Sequence, residues 1–123
     1  MSNLKVACIQ TNSKSDPNIN IREVSSLIRA ARSNGAELIT TPEVVGMLEP
    51  NREKALNKAQ PENYHSVLRE FQALSRDLAI WLLIGSISIK LSNGKLANRS
   101  FLINPDGQII ARYTNCLLYT SPS

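Results

Sequence analysis

The feature that most restricts the fold is the run Ile80-Trp81-Leu82-Leu83-Ile84-Gly85-Ser86-Ile87-Ser88-Ile89. It is too short to span a membrane as a helix. It is rich in β-branched residues, apolar on both faces at first and alternating later. That pattern predicts a central strand of an α/β sheet, covered on both sides. The residues before it read as strand, helix, strand, helix. Residues 4–10 (Leu4-Lys5-Val6-Ala7-Cys8-Ile9-Gln10) form a predicted buried strand, and residues 11–18 a polar loop. A helix is then expected with Asn20 as its cap, Glu23 completing a capping box, and Ile19 and Val24 forming a hydrophobic staple. Val24, Leu27, Ile28 and Ala31 keep helical spacing, and Gly35 is placed to end the helix in the left-handed conformation.

Residues 37–41 form the second predicted strand. A strand–helix–strand unit with short links makes the two strands parallel. A short helix is expected over 51–59 and a longer one over 62–78, where Tyr64, Val67, Leu68, Phe71, Leu74 and Leu78 share a face. After the central strand, Asn93-Gly94 signals a hairpin, 97–103 a strand, Asn104-Pro105-Asp106-Gly107 a turn, and 108–113 the last strand. The prediction is therefore one α/β domain, βαβαβ followed by an antiparallel meander.

Composition excludes several classes of function. The net charge is +4. The basic residues are scattered, however: Arg22, Arg29 and Arg32 on one helix, Lys54 and Lys58 on another, Lys90 and Lys95 beside a turn. No basic run or aromatic platform suggests nucleic-acid binding. No apolar run suggests a membrane span, and the first residues lack the zones of a signal peptide, so a cytoplasmic protein is expected. Of the two cysteines, Cys8 is expected to pack as a small hydrophobe, and Cys116 lies in the tail. There is no metal-ligand spacing, phosphate loop or dinucleotide fingerprint; no cofactor and no metal are expected.

One residue is well placed for chemistry. Parallel α/β sheets bind ligands beyond the C-terminal ends of their strands, and the second strand ends in Thr41-Pro42-Glu43. Pro42 cannot donate to a ladder and holds Thr41 extended. Glu43 therefore sits on a stiff support where a partly shielded carboxylate can act as a general base. Solvated or capping acids are also common at such positions. His65 lies on a predicted helix with no Ser or Cys arrangement around it, and Asp16, Glu49 and Glu53 read as loop or helix-surface acids.

The ordered blocks carry a family resemblance. Leu38-Ile39-Thr40-Thr41-Pro42-Glu43 resembles the segment bearing the catalytic glutamate of the nitrilase (carbon–nitrogen hydrolase) superfamily. Val6-Ala7-Cys8-Ile9-Gln10 resembles its first strand, and Ile80-Trp81-Leu82-Leu83-Ile84-Gly85-Ser86 its central strand. Asn98-Arg99-Ser100-Phe101-Leu102-Ile103-Asn104-Pro105-Asp106-Gly107 with Ala111-Arg112-Tyr113 resembles its late hairpin. The branch most like it holds the omega-amidase and deaminated glutathione amidase type of enzyme. The resemblance implies the N-terminal part of a four-layer α-β-β-α sandwich, a small-molecule amide as substrate, and a homo-oligomeric parent protein. It also implies a Glu–Lys–Cys triad: the glutamate takes the thiol proton, the cysteine attacks the amide carbonyl and releases ammonia, water hydrolyses the thioester, and the lysine helps to stabilise the oxyanion. Glu43 matches the glutamate. Asn115 stands at the lysine position and carries no positive charge. The cysteine motif of the family lies further along than residue 123, and Cys116 is not its equivalent. The expected outcome is a fragment that is inactive alone, the alternative being a truncated pseudoenzyme or interaction module. Residues 1–113 read as a partial hydrolase domain. Residues 114–123 read as a non-native tail, since 116–123 resembles the translated adapter remnants at the ends of some gene predictions.

Overall fold

A computed structural model describes residues 4–9, 17–41 and 61–119. The elements are β1 (Val6–Cys8), α1 (Pro17–Ser33), β2 (Leu38–Thr40), a 3-10 turn (Glu62–Tyr64), α2 (Ser66–Leu78), β3 (Trp81–Lys90), β4 (Leu96–Ile103) and β5 (Ile109–Tyr119). Among the described residues the strands form a five-stranded sheet in sequence order, β1-β2-β3-β4-β5. The first three are parallel, with Val6, Leu38 and Trp81 in one row and Ala7, Ile39 and Leu82 in the next. The β3-β4 and β4-β5 pairs are antiparallel. The expected βαβαβ-plus-meander order is the observed one, and residues 51–59 lie outside the described residues.

Successive parallel strands that advance in one direction put both crossover helices on one face, because the crossovers are right-handed. Here α1 packs against α2, and α2 against β3. Ile39, Leu82, Ile84, Phe101 and Ile103 point from the sheet into this layer and meet Val24, Ile28, Val67, Leu68, Phe71 and Leu74, all buried. The opposite face is bare among the described residues. Val6 is 53% exposed, Leu83 39% and Trp81 36%. Among the described residues the central strand is thus covered on one side, where two were expected. Cys8 shares the bare face of β1 and is exposed, not packed as a small hydrophobe. The first strand is likewise shorter than expected, three residues of which none is fully buried.

Helix ends show where local signals prevailed. α1 begins at Pro17, three residues before the expected cap Asn20. Proline suits a first helical position because its missing N–H would be unpaired there anyway. At the other end Gly35, at φ 97°, closes the helix: its N–H bonds Arg32 O at 2.9 Å and the Ala36 N–H bonds Ala31 O at 3.0 Å, a Schellman arrangement. α2 ends the same way with Ala79 at φ 54°, Ala79 N to Arg76 O at 3.3 Å and Ile80 N to Ser75 O at 3.1 Å. The Arg32 Nε donates to Leu78 O at 3.1 Å and its Nη1 to Ala36 O at 3.2 Å. One cation, in the last turn of α1, therefore satisfies the final carbonyl of α2 and a carbonyl of the link after α1, close to helix ends where the dipole favours it.

The 62–78 helix is broken at His65 into the 3-10 turn and α2. His65 is extended, buried, and caps α2 by accepting the Leu68 N–H at Nδ1 (3.4 Å). It is a cap between two helical pieces rather than a residue on a helix face. The Asn104–Gly107 turn docks on α2: Gln72 Nε2 donates to Gly107 O at 2.9 Å, and the buried Ser75 hydroxyl lies in reach of Asn104 O at 2.9 Å and of Ile80 O. Gly107 has φ 82°, and a Cβ there would lie 2.7 Å from Gln72 O.

Candidate functional site

The end of β2 is tied to its neighbour by a side chain. Thr41 is buried; its N–H donates to Leu83 O at 3.0 Å, and its Oγ1 accepts the Gly85 N–H at 3.2 Å. The hydroxyl thus takes over the ladder where the following proline would end it. On the far side, Ser100 Oγ donates to Gly85 O. Gly85 lies in a β-bulge, since one extra residue of β3 fits between the pairs Ile84–Phe101 and Ile87–Arg99. Bulges of this kind re-aim side chains and concentrate beside functional sites. Glu43 and Pro42, two residues and one residue beyond Thr41, lie outside the described residues, as do Asp16, Glu49 and Glu53.

β5 carries its own bulge at Asn115. Arg99 pairs with Thr114 and Asn98 with Cys116, so Asn115 is the extra residue. Beside it, Asn98 Oδ1 is buried without a hydrogen-bond partner. The strand runs without a break through Thr114 to Tyr119, pairing with β4 as far as Leu96.

Three side chains that spacing did not single out meet on the helix-covered side. Glu62 Oε1 accepts from Arg99 Nη1 at 3.1 Å, and its Oε2 from Arg112 Nε at 2.8 Å. Arg99 Nε also donates to Thr114 Oγ1 at 3.0 Å. These partners are 37 and 50 residues apart, so no local pattern could reveal them. A groove of about 390 Å³ lies between α1 and α2, flanked by Arg22, Arg29, Glu70 and Asp77. It offers opposite charges and one hydroxyl, Ser25, but no Cys or His. Among the described residues no three His, Cys, Asp or Glu side chains are grouped to hold a metal, and no helix is long and apolar enough to cross a membrane.

Comparison with known proteins places this scaffold. The omega-amidase NIT2 of Homo sapiens is 26% identical over 119 residues, which is 97% of this chain and 42% of that protein; the Pongo abelii omega-amidase NIT2 matches equally. The chain thus spans well under half the length of these relatives. Among solved structures, the C. elegans NitFhit protein superposes with a TM-score of 0.83 at 22% identity, over 93% of this chain and 28% of that one. An amidase from Nesterenkonia sp. gives 0.78 at 21%, over 95% and 44%. At such identities these structures establish the fold alone, that of the nitrilase-fold proteins. The carbon–nitrogen hydrolase family matches residues 5–122, and the chain belongs to that family.

Proposed function

We propose that the protein to which these residues belong is an amidase-type hydrolase of a small-molecule amide, with Glu43 as its general base. The observation that carries this reading is the family match across 5–122, which includes the segment after β2 where Glu43 lies. The omega-amidase relatives support an amide, in particular one bearing a carboxylate, as the substrate. In that chemistry the carboxylate takes the thiol proton and passes it to the departing nitrogen, so that ammonia leaves and a thioester forms. Water then reverses the proton path and frees the acid.

Residues 1–123 are inactive by themselves in this proposal. Asn115 cannot supply a lysine's charge to an oxyanion, and neither cysteine sits in the family's nucleophile motif. Ammonia release from glutaramate-like and simple aliphatic amides tests it: none is expected from the 123-residue chain, and release abolished by Glu43→Gln would overturn the inactivity while supporting Glu43 as base. A second reading, a non-catalytic interaction module, is favoured by the bare face of Val6, Trp81 and Leu83. Sizing chromatography separates the two, since a monodisperse monomer argues for an independent module and self-association for a face that needs cover.

A further inference from the structure

We propose that Arg99 and Arg112, gathered by Glu62, form a binding site for a small oxyanion on the helix-covered side of the β4-β5 hairpin. The charge count points there first. Arg69 Nη2 donates to the Glu62 and Asn63 carbonyls at 3.0 and 3.1 Å, so three guanidinium groups converge on Glu62. Three positive charges and one negative leave +2 among these described residues. The acids further along α2, Glu70 and Asp77, line the groove shared with α1 instead.

Burial makes that excess matter. The side chains of Arg99 and Glu62 are only 22% and 17% exposed, so the single carboxylate that Arg99 shares with Arg112 is partly desolvated and leaves the pair of guanidinium groups one charge in excess. A single carboxylate is shared between two guanidinium groups, so each is held by one of its nitrogens. Among the described residues, Arg99 bonds side chains through Nη1 and Nε and Arg112 through Nε, so the outer guanidinium edges face away from Glu62. Arg112 is 48% exposed, which leaves its outer edge open to a ligand. Two adjacent planar donor groups, fixed in orientation by a common carboxylate, match the two or three oxygens of a carboxylate or phosphoryl group. Thr114 Oγ1 holds Arg99 from the other side, so the donors are oriented before a ligand arrives. The site does not depend on the hydrolase reading, because it uses none of the residues assigned to that chemistry.

The test uses the 123-residue chain in NMR titrations with inorganic phosphate and, separately, with acetate, at ionic strength held constant by sodium chloride. Saturable shifts of the Arg99 and Arg112 Nε–Hε resonances are expected, with Arg22 and Arg29 serving as exposed controls. Arg112→Gln is expected to weaken binding at least about tenfold, the usual loss for a charged hydrogen-bonding group. Arg112→Lys keeps the charge beside Glu62 and the fold, and is expected to weaken binding too, because an ammonium cannot reproduce the fork. Tighter saturation by acetate identifies a carboxylate ligand, and tighter saturation by phosphate a phosphoryl one. Shifts that grow linearly and equally at Arg22 and Arg29, or an affinity unchanged in both Arg112 variants, would overturn the site.

Discussion

The two faces of the sheet use the same residue types and reach different states. On one face Leu82, Ile84 and Phe101 are sealed under α1 and α2; on the other Val6, Trp81 and Leu83 keep from 36% to 53% of their surface exposed. Leu82 and Leu83 are neighbours in one strand, so composition and propensity cannot explain the contrast. What differs is the partner layer. A right-handed crossover delivers a helix to one side only, and the described residues contain nothing that covers the other. Stability within these residues is therefore one-sided, and the bare side is where further protein, or another copy, would add burial.

The largest expected effect follows from that contrast. Leu82→Ala should lower unfolding stability by about 2–5 kcal/mol, as for other fully buried leucines. Leu83→Ala, one residue away, should cost less than about 1 kcal/mol, since much of its surface is already in water. Denaturant melts of the two variants would break the comparison if they came out equal. Next in size is Gly107→Ala. It forces a Cβ against Gln72 O at 2.7 Å in a backbone with φ 82°, and should cost about 1–3 kcal/mol; a melt unchanged from wild type would show that the turn is not held against α2. Ala79→Gly sharpens the picture with the opposite sign. Relieving a left-handed alanine at the end of α2 should raise stability by up to about 1 kcal/mol, read as a higher denaturation midpoint. The smallest effect on the melt, with the clearest effect on association, is expected from Trp81→Ser combined with Leu83→Ser. Sizing chromatography should show less self-association, and an unchanged elution profile would mean that the bare face is not what draws copies together.

Much of the architecture was legible because it rests on local rules. The β-branched run at 80–89 placed β3 in the middle of the sheet, Gly35 stopped α1, and Asn93-Gly94 and Asn104–Gly107 set the two turns. The misjudged details came from stronger competing choices. Pro17 outweighed Asn20 as the start of α1, and His65 interrupted the helical pattern because an extended residue there caps α2. Cys8 was expected to be buried because an apolar strand usually is; its strand lies at the edge of the described sheet, on the face without a covering layer.

The candidate site was reached in a different way. Spacing led to the expectation that Glu43 lies beyond the end of a parallel strand, and the resemblance implied that Asn115 stands at the lysine position; Glu43 lies outside the described residues. Neither route could find that Thr41 Oγ1 and Ser100 Oγ both bond Gly85, or that Asn115 is the extra residue of a bulge. These depend on register between strands distant in the chain.

By itself the sequence determined the class of fold, the order of elements and the family, because periodicity, turn residues and ordered motifs act within a few residues of one another. Only the tertiary structure decided which face of the sheet is covered and which side chains share a charge. Glu62, Arg99 and Arg112 meet across 37 and 50 residues of chain, where packing of α2 over the hairpin, rather than any local preference, sets the distance.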